Sequence, residues 1–149
     1  NIIPVSLALT QSAIETGWGT SRFAQDGNAL FGQWTWNDAS GIIPLGREVG
    51  ATHSIKRFND LISAVEGYSL NLNTHSAYQD FRTERAKFSR NKIIVVDKDL
   101  LFTLLYYSEL GFAYIDSLTN IIGANNLRSF DNVKLQKTAY QKLKLSPIP

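Results

Sequence analysis

The sequence predicts a mainly α, α+β domain: a helical body with a small β-hairpin lobe at one side. Three observations carry that prediction. Apolar residues recur at helical spacing before residue 27 and again after residue 60. The residues between, 33–58, change to turn formers and short alternating runs. A length of 149 residues, 44% hydrophobic and 19% charged, suits one core. Without cysteine the chain has no disulfide framework, cysteine metal site or cysteine nucleophile. A formal charge of +2, with no basic run interleaved with aromatics, does not describe a nucleic-acid surface. No apolar run approaches the roughly 18 residues of a membrane span. The residues therefore read as a soluble monomer. The start at Asn1 and the lack of methionine read as a piece of a longer precursor or a processed form, with any signal peptide outside the segment.

The first helix is expected over residues 4–17. Pro4 suits a first turn, and Val5, Leu9 and Ala13 draw an apolar stripe at intervals of four. Glu15 lies off that stripe, with Gln11 and Ser12 on its own face, which lines polar groups toward a cleft. Gly17 and Gly19 provide the helix exit and hold Trp18 between them. A carboxylate in the last turn meets the negative end of the helix dipole, and burial beside aromatics further raises its pKa, as a general acid requires. The plainer use of the same residue is a surface ion pair with Arg22. A short second helix follows over 20–26 from a Thr or Ser cap, closed by Gly27. Asn28 then suits a tight turn, Leu30 the core, and Gly32 a close backbone approach as the chain returns toward Glu15.

In the lobe, Trp34 and Trp36 flank Thr35 and point to the same face, and residues 37–41 form a loop. Residues 42–47 and 52–58 are expected to pair as a hairpin across 48–51, with Glu48 near its tip. From Asp60 the helical period resumes, with Leu61, Ala64, Val65, Tyr68 and Leu72 on one face and Asn59 or Asp60 as cap. After a break at 73–76, Ala77, Phe81, Arg85 and Phe88 carry a helix to about residue 90. His75 reads as a local cap and His53 sits on the hairpin; two separated histidines without a carboxylate cluster do not make a metal site. Asp97 or Asp99 caps a helix whose Leu100, Leu101, Leu104 and Leu105 are core. That helix ends at Tyr106, Tyr107, Ser108 and Glu109 and is broken by Gly111. A last helix over 112–124 turns Ile115, Leu118, Ile121 and Ile122 inward. Residues 128–149, with Arg128, Lys134, Lys137, Lys142 and Lys144 against Asp131, read as a basic extension packed on or trailing from a 1–127 domain.

Four ordered blocks carry a resemblance: residues 12–24 around Glu15, Asn28-Ala29-Leu30-Phe31-Gly32, residues 73–78, and residues 107–114. Together they resemble the bacterial endo-β-N-acetylglucosaminidase domain of glycoside hydrolase family 73, in its Bax-like branch. The resemblance implies a lysozyme-like fold, the β-lobe forming one wall of a glycan cleft, and hydrolysis of the β-1,4 bond between GlcNAc and MurNAc in peptidoglycan. It implies Glu15 as proton donor and Tyr107 as a residue lining the active site. Gln11, Trp18, Asn28, Phe31, Gly32, Trp34 and Tyr114 are then the candidate substrate contacts, with no cofactor and an extracytoplasmic location. The second catalytic group stays open between Glu48, Asp38 and the substrate's own 2-acetamido group supported by Tyr107. A lytic transglycosylase or muramidase on the same polymer, or a non-catalytic wall-binding module, are the rival readings.

Overall fold

The computed structural model describes residues 2–90 and 96–134. Its helices are α1 (Val5–Thr16), α2 (Arg22–Gly27), α3 (Leu61–Thr74), α4 (Gln79–Arg90), α5 (Lys98–Phe102) and α6 (Phe112–Ala124). Its strands β1 (Trp34–Thr35), β2 (Gly41–Ile42) and β3 (Ser54–Lys56) form an antiparallel sheet in the order β1-β3-β2. The architecture is thus a helical body with a small β-lobe between α2 and α3, as expected of a lysozyme-like domain.

Local chemistry accounts for most boundaries. Ser21 Oγ accepts from Ala24 N–H at the start of α2, Asp60 from Ser63 N–H at the start of α3, and Asp97 from Leu100 N–H at the start of α5. His75 acts as the local cap expected of it, its Nδ1 accepting from Ala77 N–H at 3.2 Å. The core of the body gathers Leu7, Phe31, Tyr68, Leu72, Phe81, Leu100, Leu101, Leu104, Tyr114, Leu118 and Ile122.

Four expectations are corrected. The inner face of α1 is Ser6, Leu7, Thr10 and Gln11, whereas Val5 and Leu9 are exposed. Polar residues are tolerated inside because each finds a partner: Ser6 pairs with Asp131, Thr10 Oγ1 donates to Ser6 O, and Gln11 bridges two tyrosines. On α3 the buried residues are Ala64, Tyr68 and Leu72, while Leu61 and Val65 face solvent. The hairpin ladder is shorter than the pattern implied, pairing only Gly41 with Lys56 and Ile42 with Ile55, so that residues 43–53 form a long connection with turns at Pro44–Arg47 and Glu48–Ala51. The helix after Asp97 stops at Phe102. Its continuation tightens into turns in which Leu104, Leu105 and Tyr107 each bond the carbonyl three residues earlier.

The described chain continues past α6. A 3₁₀ turn, Leu127–Phe130, packs on α1, and the Asp131 carboxylate accepts from Ser6 N–H and Ser6 Oγ, both at 2.8 Å. Pro4, which precedes α1, offers no side-chain cap, so Asp131 takes that role from afar and places negative charge at the positive end of the helix dipole. The basic residues Lys137, Lys142 and Lys144 lie outside the described residues.

Candidate active site

Glu15 is brought to its place by the way α1 ends. Gly17 adopts a left-handed conformation at φ 56°, its N–H and that of Trp18 return to carbonyls of the last turn, and the helix stops one turn after Gln11. The returning segment meets the carboxylate directly. Gly32, at φ 60°, has a conformation that favours glycine, and a Cβ there would stand 2.8 Å from Glu15 Oε2, so that a side chain would displace the carboxylate.

Glu15 opens into a cavity of about 320 Å³ lined by Phe31, Gly32, Gln33, Trp34, Asn71, Tyr78, Tyr107 and Ser108. Partial burial raises the Glu15 pKa above its ordinary value, in the direction a proton donor needs, and desolvation is the cause. The alternative use of Glu15, an ion pair with Arg22, is not made: Arg22 donates to Ile43 O at 2.7 Å and lies over the Phe23 ring.

Tyrosines surround this carboxylate. Tyr107 stacks on Tyr114 at 5.7 Å between ring centroids and lies 5.9 Å from the Tyr78 ring. Its hydroxyl is 3.5 Å from Phe31 O, a long contact that leaves the proton available. Burial chiefly, then neighbouring phenols and the Glu15 charge, hold Tyr107 well above the usual tyrosine range. Burial and Glu15 likewise raise Tyr78, against a lowering hydrogen bond from Asn71. Both therefore stay protonated and can donate to an oxygen in the cavity.

Behind them lies a buried frame. Tyr68 donates to Gln11 Oε1 at 2.5 Å, Gln11 Nε2 donates to Tyr114 Oη at 2.9 Å, and the Tyr68 ring stacks on Phe31 at 3.9 Å. The frame ties α1, α3, α6 and the residue 28–32 segment together just under the cavity. Two of the candidate contacts belong to this frame: Gln11 is fully buried and Tyr114 is 1% exposed, and both lie beneath the cavity and outside its lining.

The other candidates divide. Phe31, Gly32, Trp34 and Tyr107 line the cavity together with Glu15. Asn28 does not; its Nδ2 donates to Phe58 O and fastens the β-lobe to the body. Trp18 is 64% exposed on the surface and is not among the lining residues. Glu48 is exposed on the 43–53 connection, likewise outside the lining. Asp38 is occupied elsewhere: Ser54 Oγ donates to it and Arg47 pairs with it at 3.2 Å, and these bonds, the Ser54 one foremost, hold its carboxyl below the usual range. Asn71, Tyr78, Ser108 and Gln33 also line the cavity and were not singled out from sequence. Tyr78 and Ser108 stood inside two of the four family blocks, which was the available signal.

A second cavity, of about 340 Å³, continues from the first and shares Gln33, Trp34, Asn71 and Tyr78 with it, adding Trp36 and His75. Trp34 is the wall common to both; His53 stacks on it at 4.1 Å and Trp36 meets it edge-on at 6.4 Å. The result is one elongated groove with an acid at one end and exposed indoles along its side. Among the described residues, no group of three or more His, Asp or Glu side chains is placed to hold a metal ion.

The family model described as mannosyl-glycoprotein endo-beta-N-acetylglucosaminidase, or glucosaminidase, matches residues 1–127. The chain is 34% identical over 114 residues to the protein bax of Escherichia coli (strain K12), across 76% of this chain and 40% of that protein. The match thus spans well under half the relative's length. No solved structure matches the chain. With that family model covering most of its length, the chain belongs to the glucosaminidase family.

Proposed function

We propose that this chain is a peptidoglycan hydrolase that cleaves the β-1,4 bond on the reducing side of GlcNAc, in the bacterial envelope outside the cytoplasm. The observation that carries the reading is the position of Glu15: a partly buried carboxylate of raised pKa at the end of an indole-walled groove. Glu15 protonates the glycosidic oxygen as the bond to the anomeric carbon lengthens. The groove's aromatic side takes the apolar faces of the sugar rings, and its elongated shape fits a polymer.

The second catalytic group is the substrate's own. Of the acidic candidates, Glu48 and Asp38 stand outside the lining of the cavity, whereas Tyr107 stands within it beside Glu15. The acetamido oxygen of the GlcNAc being cut attacks its anomeric carbon, displacing the oxygen that Glu15 protonates, and Tyr107 supports the acetamido group through its retained proton. Water then opens the cyclised intermediate. This is the recognised exception to the two-carboxylate scheme. It moves the preference from Glu48, which closure of the 43–53 connection would have to carry inward.

Digestion of purified peptidoglycan followed by mass spectrometry of borohydride-reduced fragments tests the activity. Fragments ending in reduced GlcNAc are expected. Reduced MurNAc or anhydro-MurNAc ends would instead identify a muramidase or lytic transglycosylase, and glycan retention without new ends a binding module.

A further inference from the structure

Resting on the glycan reading above, we propose that an exposed aromatic hollow beside Ser108 seats the part of the glycan strand that lies across the cut from the indoles. The hollow, of about 430 Å³, is lined by Leu105, Tyr106, Ser108, Glu109, Gly111 and Phe112. Ser108 also lines the Glu15 cavity, so the two adjoin there. The second cavity, with Trp36 and His75, adjoins the Glu15 cavity through Gln33, Trp34, Asn71 and Tyr78 and shares no lining residue with the hollow. The cavity of the carboxylate therefore stands between them, with indoles on one side and the Tyr106–Phe112 hollow on the other.

The local backbone turns the rings of this hollow outward. In the turns that follow α5, Leu104 is buried in the core and Tyr107 packs on Tyr114, which leaves Tyr106 94% exposed. Gly111, at φ 52°, leads into α6, whose first residue Phe112 is 66% exposed and meets the Phe102 ring edge-on at 6.3 Å. Single exposed apolar residues are ordinary, whereas neighbouring exposed rings at one hollow mark a binding surface. Its occupant follows from continuity with the catalytic cavity. A strand cut in its interior has sugars on both sides of the bond, and the indole groove serves one side alone. Aromatic rings take the apolar face of a pyranose, and the polar members of the lining suit its hydroxyls. Glu109 accepts from them, and Ser108 Oγ, which itself accepts from Leu110 N–H at 3.3 Å, keeps its proton to donate.

The test uses two synthetic fragments that match the products of one cut, a strand ending in GlcNAc and a strand beginning with MurNAc, each filling one half of the site. NMR titration in a Glu15→Gln background gives their affinities for Trp36→Ala and for the double variant Tyr106→Ala with Phe112→Ser. The double variant is expected to weaken one fragment about tenfold and leave the other unchanged, and Trp36→Ala to do the reverse. Leu110→Ser, exposed but outside the lining, should change neither. All four side chains are exposed, so melting temperatures should stay near the parent's, which separates a lost contact from a disturbed fold. Weakening of both fragments or of neither by the double variant, or of the same fragment by both changes, would overturn the proposal. With Glu15 restored, the double variant should lower kcat/KM alike on peptidoglycan and on glycan strands stripped of peptide. A loss confined to intact peptidoglycan would assign the hollow to the peptide stem and overturn the proposal. If the parent chain bound neither fragment and released no ends from peptidoglycan, the glycan reading would fall and the hollow's role with it. Normal cleavage by the parent with a silent double variant would sink the hollow's role alone.

Discussion

Glu15 is stabilised less in its charged form than an exposed glutamate, and that has a consequence for folding as well as for chemistry. With its folded-state pKa above the ordinary 4.5, the folded protein holds a proton that the unfolded chain has released throughout the window between the two values. Stability therefore declines as pH rises through that window, and the deficit persists at neutral pH. Glu15→Gln removes the titration, so it should raise the melting temperature relative to the parent at about pH 7.5, with the gap closing as pH falls below about 4. Thermal melts of both proteins across that range check this; a variant less stable at neutral pH would show that the carboxylate is held by bonds to its charged form. Gly32 beside it is held by its positive φ, and a side chain there would push the carboxylate from its place. Of the groups around it, Glu15, Phe31, Gly32 and Trp34 were legible in sequence because they stand in contiguous motifs. Gln11 and Tyr114, expected as contacts, lie buried beneath the cavity, a depth that their place in the sequence does not give.

At the scale of elements, α1 shows why periodicity misled. Its inner face is polar, and each polar group is satisfied by a residue far away in sequence, Asp131 for Ser6 and Tyr68 with Tyr114 for Gln11. Nothing in the spacing of Val5 and Leu9 reveals those partners. Asp131→Ala should cost about 1–2 kcal/mol, because it removes a cap and a favourable charge from the start of α1. Urea denaturation of the two proteins measures the difference, and an unchanged midpoint would mean that solvent replaces the carboxylate. The connection between β2 and β3 bears on mechanism. If the acetamido group is the nucleophile, Glu48→Gln should keep more than about a tenth of parental turnover, whereas Tyr107→Phe should lose about 10²-fold or more. Steady-state release of reducing ends decides between them. A severe Glu48→Gln together with a mild Tyr107→Phe would return the role to a carboxylate base delivered by loop closure.

Across the whole molecule, the helical body and the β-lobe were legible because capping residues and changes of period mark them: Ser21, Asp60 and Asp97 all cap where the pattern placed a helix start. The groove was not, because it depends on α3, the Tyr78 turn and the Tyr107 turn converging on the Phe31–Trp34 stretch, and convergence is a property of packing. That arrangement places a partly desolvated acid at the end of an aromatic trough, and everything proposed for the chain follows from it. The most direct measurement is the rate at which Glu15→Gln releases reducing ends from purified peptidoglycan, beside its affinity for GlcNAc oligomers. The account predicts a loss of about 10²–10⁴-fold in turnover with folding and oligomer binding retained, since glutamine keeps the shape and cannot transfer the proton. Turnover near that of the parent would contradict it.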